Sequence, residues 1–416
     1  MTRLPISEST SVTAAVEAVE HWIAAEVPES WRTAAAEGPK ALRAVRSPAD
    51  YERWYPTFAR SGLVVPTWLP EYGGLGVGAE VARAIEETLR PLRLSRLNPL
   101  GLYNTAAALF SHGTEEQRRR FLPPIVRNEE KWCQLFSEPG AGSDLASLAT
   151  RAVRDGDGWV ITGQKVWTTW AHEADFAILL ARTDPEQPKH KGITYFLLDM
   201  HQPGVQVRPL RQITGEAEFN EVFLDGARVP DAHRVGELND GWRVSAATLS
   251  SERQMVSGSG SGAGSGRLGG SSAERLISLA RETGRWDDPV VRGKIMRLWA
   301  QEQVRAWTNA RVRAALSAGQ SPGAASSIGK VHQAVLNQQI QDLMVDLLGT
   351  DAVAWPATDD PDAMPREVHG MLRSLANGTE GGTTDINKNI LGERVLGLPR
   401  EPDPWKGKPW KDIPRS

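Results

Sequence analysis

Gln134-Leu135-Phe136-Ser137-Glu138-Pro139-Gly140-Ala141-Gly142-Ser143-Asp144 is the stretch on which the reading of this 416-residue chain turns. Its loop of small residues lets backbone N–H groups and hydroxyls come close to a flat, anionic or polar ligand. Further along, Gly163-Gln164-Lys165-Val166-Trp167-Thr168-Thr169 adds an indole that can serve as a stacking wall. Turn chemistry alone would also accommodate both stretches as ordinary turns.

Outward from this loop the chain changes character twice. Residues 10–128 carry apolar positions at helical spacing, as in Val12, Val16, Val19, Trp22 and Ile23, and are interrupted by a turn at Trp68-Leu69-Pro70-Glu71-Tyr72-Gly73-Gly74-Leu75-Gly76. Residues 129–235 hold short runs rich in β-branched and aromatic residues, such as Phe176–Leu180 and Ile193–Leu198, separated by Asp-Gly and Pro-Gly turns. Residues 236–399 return to helical periodicity, as in Ile328, Val331, Val335, Leu336, Ile340, Leu343 and Leu347, and read as an antiparallel bundle. Within the bundle, residues 257–272 are nearly all Gly and Ser and read as a flexible insertion. Residues 400–416 form a tail or interface arm. The expected fold is α+β and multidomain: an N-terminal helical domain, a middle β-barrel-like domain and a C-terminal four-helix bundle.

Composition excludes several classes. With 48 basic and 51 acidic residues and no long block of either sign, nothing favours a nucleic-acid partner. One cysteine, Cys133, excludes an internal disulfide framework and a multi-cysteine metal site. No apolar run reaches the roughly 18 residues of a membrane span, and the N-terminus shows no signal pattern, so a soluble, unprocessed, cytoplasmic protein is expected. His172 lacks a partner at metal-ligand spacing, and Arg118-Arg119-Arg120 reads as a solvated helix face.

Together with Gly381-Gly382-Thr383-Thr384-Asp385-Ile386 through Gly397-Leu398-Pro399, the two stretches above resemble, in order, three elements of the acyl-CoA dehydrogenase flavoproteins. The resemblance spans nearly the whole chain, and it implies the following. FAD is the cofactor: Phe136 and Ser137 contact its ring, Ser143 lies near the pyrophosphate or the acyl-CoA, Trp167 flanks the ring, and Thr169 bonds near N5. Thr383 and Asp385 match positions that contact the dinucleotide, although Asp385 departs from the usual Gln or Glu. The reaction is α,β-dehydrogenation of an acyl-CoA thioester to a trans-2-enoyl-CoA. It needs a carboxylate base and a polarised carbonyl. The position of the base in many members is Gly381 here, whose backbone N–H can still polarise the carbonyl. The alternative position, on the helix after the β domain, is Glu252 in Ser250-Ser251-Glu252-Arg253. Glu252 is the candidate base and Glu380 the alternative, while Arg253 faces the CoA or braces the bundle.

The family implies an electron-transfer flavoprotein as acceptor and a tetramer, either of one chain or of two related chains. Ala280-Arg281-Glu282-Thr283-Gly284-Arg285 and Asp346 depart from the family pattern around the adenine half of FAD, as a chain sharing its site with a different partner would. Competing readings on the same fold are a flavin monooxygenase, which needs no carboxylate base, and a non-catalytic subunit of a heterotetramer.

Overall fold

The computed structural model describes residues 3–257, 272–320, 323–355 and 363–414, the side chains of 253–257, 316–317 and 326 excepted. The expected Gly/Ser insertion lies almost wholly outside the described residues.

The N-terminal part is helical: α1 (Val12–Glu26), α2 (Glu29–Glu37), α3 (Pro39–Val45), α4 (Pro48–Ser61), α5 (Ala79–Leu89), α6 (Ala106–His112) and α7 (Glu115–Arg127). Polar side chains start several of them by satisfying exposed backbone N–H groups. The Ser11 Oγ accepts from Ala14 N, while Ser47 with Asp50, and Thr114 with Gln117, form reciprocal capping boxes. Trp22, Trp31, Tyr51, Trp54 and Phe58 pack against one another, so the tryptophan-rich composition here is core. The expected turn at Trp68–Gly76 contains a short 3₁₀ turn, and Gly74 is required in it: a Cβ there would lie 2.2 Å from the Trp68 carbonyl oxygen. A feature the periodicity did not announce precedes α6, where Leu100–Thr105 winds as a π-helical turn.

The middle part is one eight-stranded sheet built from β1 (Trp132–Leu135), β2 (Arg151–Asp155), β3 (Gly158–Thr169), β4 (Phe176–Arg182), β5 (Ile193–Asp199), β6 (Val205–Leu210), β7 (Phe219–Pro230) and β8 (Arg234–Val235). Its order is β6-β7-β3-β2-β4-β5-β8, with β1 parallel to β4. The continuous apolar runs in β4 and β5 arise because both faces of the sheet are covered. Ile178, Leu180, Tyr195 and Leu197 join the core of the N-terminal helices, and the alternating Leu179, Ala181, Phe196 and Leu198 join Trp159 and Ile161 on the other face.

The C-terminal helices are α8 (Gly241–Ser257), α9 (Ala273–Glu282), α10 (Pro289–Ser317), α11 (Ser326–Leu348), α12 (Arg366–Ser374) and α13 (Thr384–Arg394). Leu336, Ile340, Leu343 and Leu347 of α11 pack on Leu276 and Leu279 of α9 and Ile295 and Leu298 of α10. The tail folds back within the chain: Trp410 N donates to Gln187 O at 2.9 Å and its Nε1 to Ser147 O at 3.3 Å.

Candidate active site

The two glycine-bearing stretches meet in space. β1 delivers Ser137 and Glu138, and β3 delivers Lys165 to Thr169. Between Lys165 and Thr168 the register of β3 with β7 shifts, and in that bulge the Val166 N–H turns away to bond Ser137 O at 3.0 Å. Lys165, fully buried, donates to Phe136 O at 3.0 Å and to Glu138 Oε1 at 2.8 Å. Glu138 also accepts from the backbone N–H groups of Ala149 and Thr150. Burial pushes this carboxyl up, but the Lys165 ammonium and the donated hydrogen bonds outweigh it and hold Glu138 below the usual carboxylate range. These two charged residues therefore shape the loop from beneath.

Above them, Trp167 adopts φ +60° and leaves its side chain 62% exposed, an arrangement L-residues adopt at a cost. Its ring meets Phe219 edge-on at 6.1 Å. Thr169 lies opposite Phe219 in the ladder and is half-buried, and the neighbouring Thr168 Oγ1 is buried without a hydrogen-bond partner among the described residues. Phe136 turns its ring into the core, edge-on to Tyr195 at 5.9 Å, whereas Ser137 is half-buried and Ser143 exposed.

The C-terminal element reaches the same region from the bundle. Arg373 stacks over Phe219 with its guanidinium carbon 5.8 Å from the ring centroid, and donates to Glu380 Oε2 at 3.0 Å. Asn377 Nδ2 donates to the other Glu380 oxygen at 2.8 Å. The alternative base is thus tied into a network with Arg373 and Asn377. Beside it Gly381 and Gly382 have φ of +62° and +84°, the left-handed backbone that favours glycine. Thr383 caps α13, its Oγ1 accepting from Ile386 N at 3.1 Å, and Asp385 is exposed and paired with Lys388 at 3.4 Å.

Glu252, half-buried on α8, is brought to the end of β1: Gln134 Nε2 donates to its Oε2 at 3.2 Å. Asn104 of the π-helical turn in turn donates to Gln134 Oε1 at 2.9 Å. Lys330 of α11, fully buried, donates to Asn377 O; burial lowers its pKa, and the charges of Glu380 and Glu252 oppose that shift. Sequence reasoning missed Asn104 and Lys330 altogether and gave Gln134 no role, although it stands in the decisive stretch; only packing signals them. The Arg253 side chain lies outside the described residues.

The remaining features are structural. His172 Nδ1 is 3.1 Å from Asn220 Oδ1, and no cluster of metal-ligating side chains occurs among the described residues. On α7, Arg119 pairs with Glu115 at 2.6 Å, and Arg120 reaches beyond the helix end to Glu130 at 2.8 Å. Cys133 is buried, which pushes its thiol pKa up. No described helix is long and apolar enough to cross a membrane.

Three domain models match in order: the acyl-CoA dehydrogenase N-terminal domain over residues 13–129, the middle domain over 133–227 and the C-terminal domain over 239–396. Acyl-CoA dehydrogenase IpdE1 of Mycobacterium tuberculosis is 40% identical over 84% of this chain and 88% of its own. The chain belongs to the acyl-CoA dehydrogenase family. Acyl-CoA dehydrogenase FadE34 of the same organism is 40% identical over 82% of this chain, although the match spans only 45% of that longer relative. Among solved structures, the ChsE4-ChsE5 complex from Mycobacterium tuberculosis aligns with a TM-score of 0.68 and 28% identity, over 95% of this chain and 100% of that one. The acyl-CoA dehydrogenases are flavin-containing oxidoreductases, and the helical, β, helical order here is theirs.

Proposed function

We propose that this chain dehydrogenates an acyl-CoA thioester to the trans-2-enoyl-CoA, with Glu252 as the base that removes the α proton. The observation that carries this reading is the 3.2 Å hydrogen bond between Glu252 and Gln134. It brings a carboxylate of the bundle to the strand that leads into the Ser137 loop, while Glu380 is bound by Arg373 and Asn377.

The residues fit FAD. An exposed indole held at a bulge offers a flat apolar face, the buried Thr168 Oγ1 lacks a partner, and the loop through Ser143 is open to a polar ligand. Ser137, Ser143, Trp167, Thr169, Thr383 and Asp385 would hold the cofactor, and Phe136 would do so through its backbone, its ring being turned onto Tyr195. When bound, FAD supplies the acceptor for the hydride from the β carbon. The chain's own part is to bind the thioester, to polarise its carbonyl through the Gly381 N–H, and to take the α proton on a Glu252 oxygen. Arg253 serves the CoA end.

The ChsE4-ChsE5 precedent favours a site shared with a related chain. The departures from the family pattern at Ala280–Arg285 and Asp346 support the same reading. The acceptor of the electrons is an electron-transfer flavoprotein, and the enzyme works in the cytoplasm.

The test is anaerobic addition of straight-chain, branched and steroid side-chain CoA thioesters to the flavin-loaded protein, alone and with candidate partner chains. Bleaching of the flavin by a thioester, lost by about a hundredfold or more in rate in Glu252→Gln with flavin retained, is expected. A Glu252→Gln protein that is reduced at the wild-type rate overturns the assignment. Oxygen consumption with NADH-reduced flavin would instead mark a monooxygenase.

A further inference from the structure

We infer that Asn104 and Gln134 form a positioning relay that aims the Glu252 carboxylate and favours its ionised form, an inference that rests on Glu252 being the base. The direction of the relay follows from donor and acceptor chemistry. Asn104 Nδ2 donates to Gln134 Oε1 at 2.9 Å, and Gln134 Nε2 donates to Glu252 Oε2 at 3.2 Å. A primary amide has one acceptor end and one donor end, so an Asn104 that occupies the acceptor turns the NH₂ of Gln134 toward Glu252. The reversed amide would set an oxygen against a carboxylate oxygen. Asn104 is 1% exposed, so the relay starts in a dry interior where hydrogen bonds are strong and hard to replace. A neutral donor on a carboxylate favours the charged form without adding a competing charge.

The same π-helical turn also holds the backbone of the base. Thr248 Oγ1 donates to Asn104 O at 3.3 Å, and Ser251 Oγ donates to Tyr103 O at 3.0 Å. These anchors lie one helical turn before Glu252 and immediately beside it. Departures from α-helical winding recur at functional sites, and here the departure is the element that grips the base helix and its carboxylate together. The N-terminal domain thereby sets the geometry of a residue in the bundle.

The charged and titratable groups on the elements packed against this part of α8 are few among the described residues. Lys330 comes from α11, with Glu380 beyond it, Tyr195 from β5 and Tyr103 from the π-helical turn. His112 of α6 lies toward the other end of α8, against Arg243. Lys330 is a cation whose charge couples to Glu252, and Gln134 is a neutral group in direct contact with it.

Infrared titration of the flavin-loaded protein tests the relay without knowledge of the substrate. The carboxylic-acid band of Glu252, assigned by its loss in Glu252→Gln, is expected to titrate about one pH unit higher in Gln134→Met. Asn104→Ala should move it the same way by less, because the Gln134 amide can then reverse. In turnover with whichever thioester bleaches the flavin, the acid limb of kcat against pH should move up by about one pH unit in Gln134→Met while KM stays within about twofold. Should Gln134→Met not fold, Gln134→Glu keeps the size and adds a like charge, and the band should move higher by about two units. An unchanged Glu252 titration in the folded variant overturns the relay. Wild-type turnover in Glu252→Gln overturns the base assignment instead, and leaves the infrared result to stand by itself.

Discussion

Lys165 donates to Glu138 across 2.8 Å in a site where the lysine is 0% and the glutamate 8% exposed. Removing one member of such a pair strands the other charge in the interior. Lys165→Met is expected to cost about 3–5 kcal/mol in thermal or denaturant unfolding near neutral pH, and Glu138→Gln with Lys165→Met together to cost less than the single change. A double variant that costs as much as Lys165→Met and Glu138→Gln added together would show that the pair is not coupled.

The same contact sets an acid limb. The Glu138 carboxyl is held below its ordinary range in the folded chain, so its contribution is present in full above the unfolded value and is lost as pH falls through the folded one. Unfolding free energy of the wild type should decline below about pH 4.3, and the Glu138→Gln, Lys165→Met double variant should show a shallower decline. Denaturant midpoints across that range measure the difference.

Trp167 presents its indole to solvent from a strained position in the β3 bulge. An exposed side chain on strained backbone adds little to the folded core. Trp167→Ala should weaken flavin retention by roughly tenfold, the worth of one aromatic stacking contact, while the melting temperature of the flavin-free chain stays the same or rises. Flavin absorbance per protein after dialysis, with melting curves of the stripped protein, provides the comparison.

Gly101 sits in the π-helical turn where an added Cβ would stand 2.8 Å from Ile125 Cγ2. Gly101→Ala should cost about 1–3 kcal/mol through overpacking, and by shifting Asn104 it should slow turnover more than it weakens substrate binding. Steady-state kcat and KM, set beside the unfolding curve, separate the two effects.

The tail closes over the loop next to the candidate site. Trp410 lies under the Arg182 guanidinium at 4.7 Å, and Ile413 and Pro414 border a hollow of about 710 Å³ with Glu138, Pro139 and Gly140. Trp410→Ala should destabilise the protein by about 3–5 kcal/mol and raise hydrogen exchange between Asp144 and Ala149. Unchanged exchange there would mean that the tail only rests on the loop.

The sequence by itself determined what is local. Helical and alternating periodicities marked the helical, β, helical order, and Pro and Gly at 70–76 and 139–142 marked a turn and a loop, because each depends on neighbours a few residues away. The three motifs carried the family in the same way. Even there, local patterns could not distinguish a π-helical turn from an α-helix at Leu100–Thr105, six residues being too few to show their own period. What only the tertiary structure decided is which side chains meet. Gln134 and Glu252 are 118 residues apart and touch because α8 packs across the π-helical turn and the end of β1. Glu380 stands beside Gly381, and Arg373 and Asn377 engage its carboxylate through contacts that follow from the fold of α12 and the turn after it. A side chain's charge state and aim depend on its dielectric surroundings and on its donors, and packing across elements creates both.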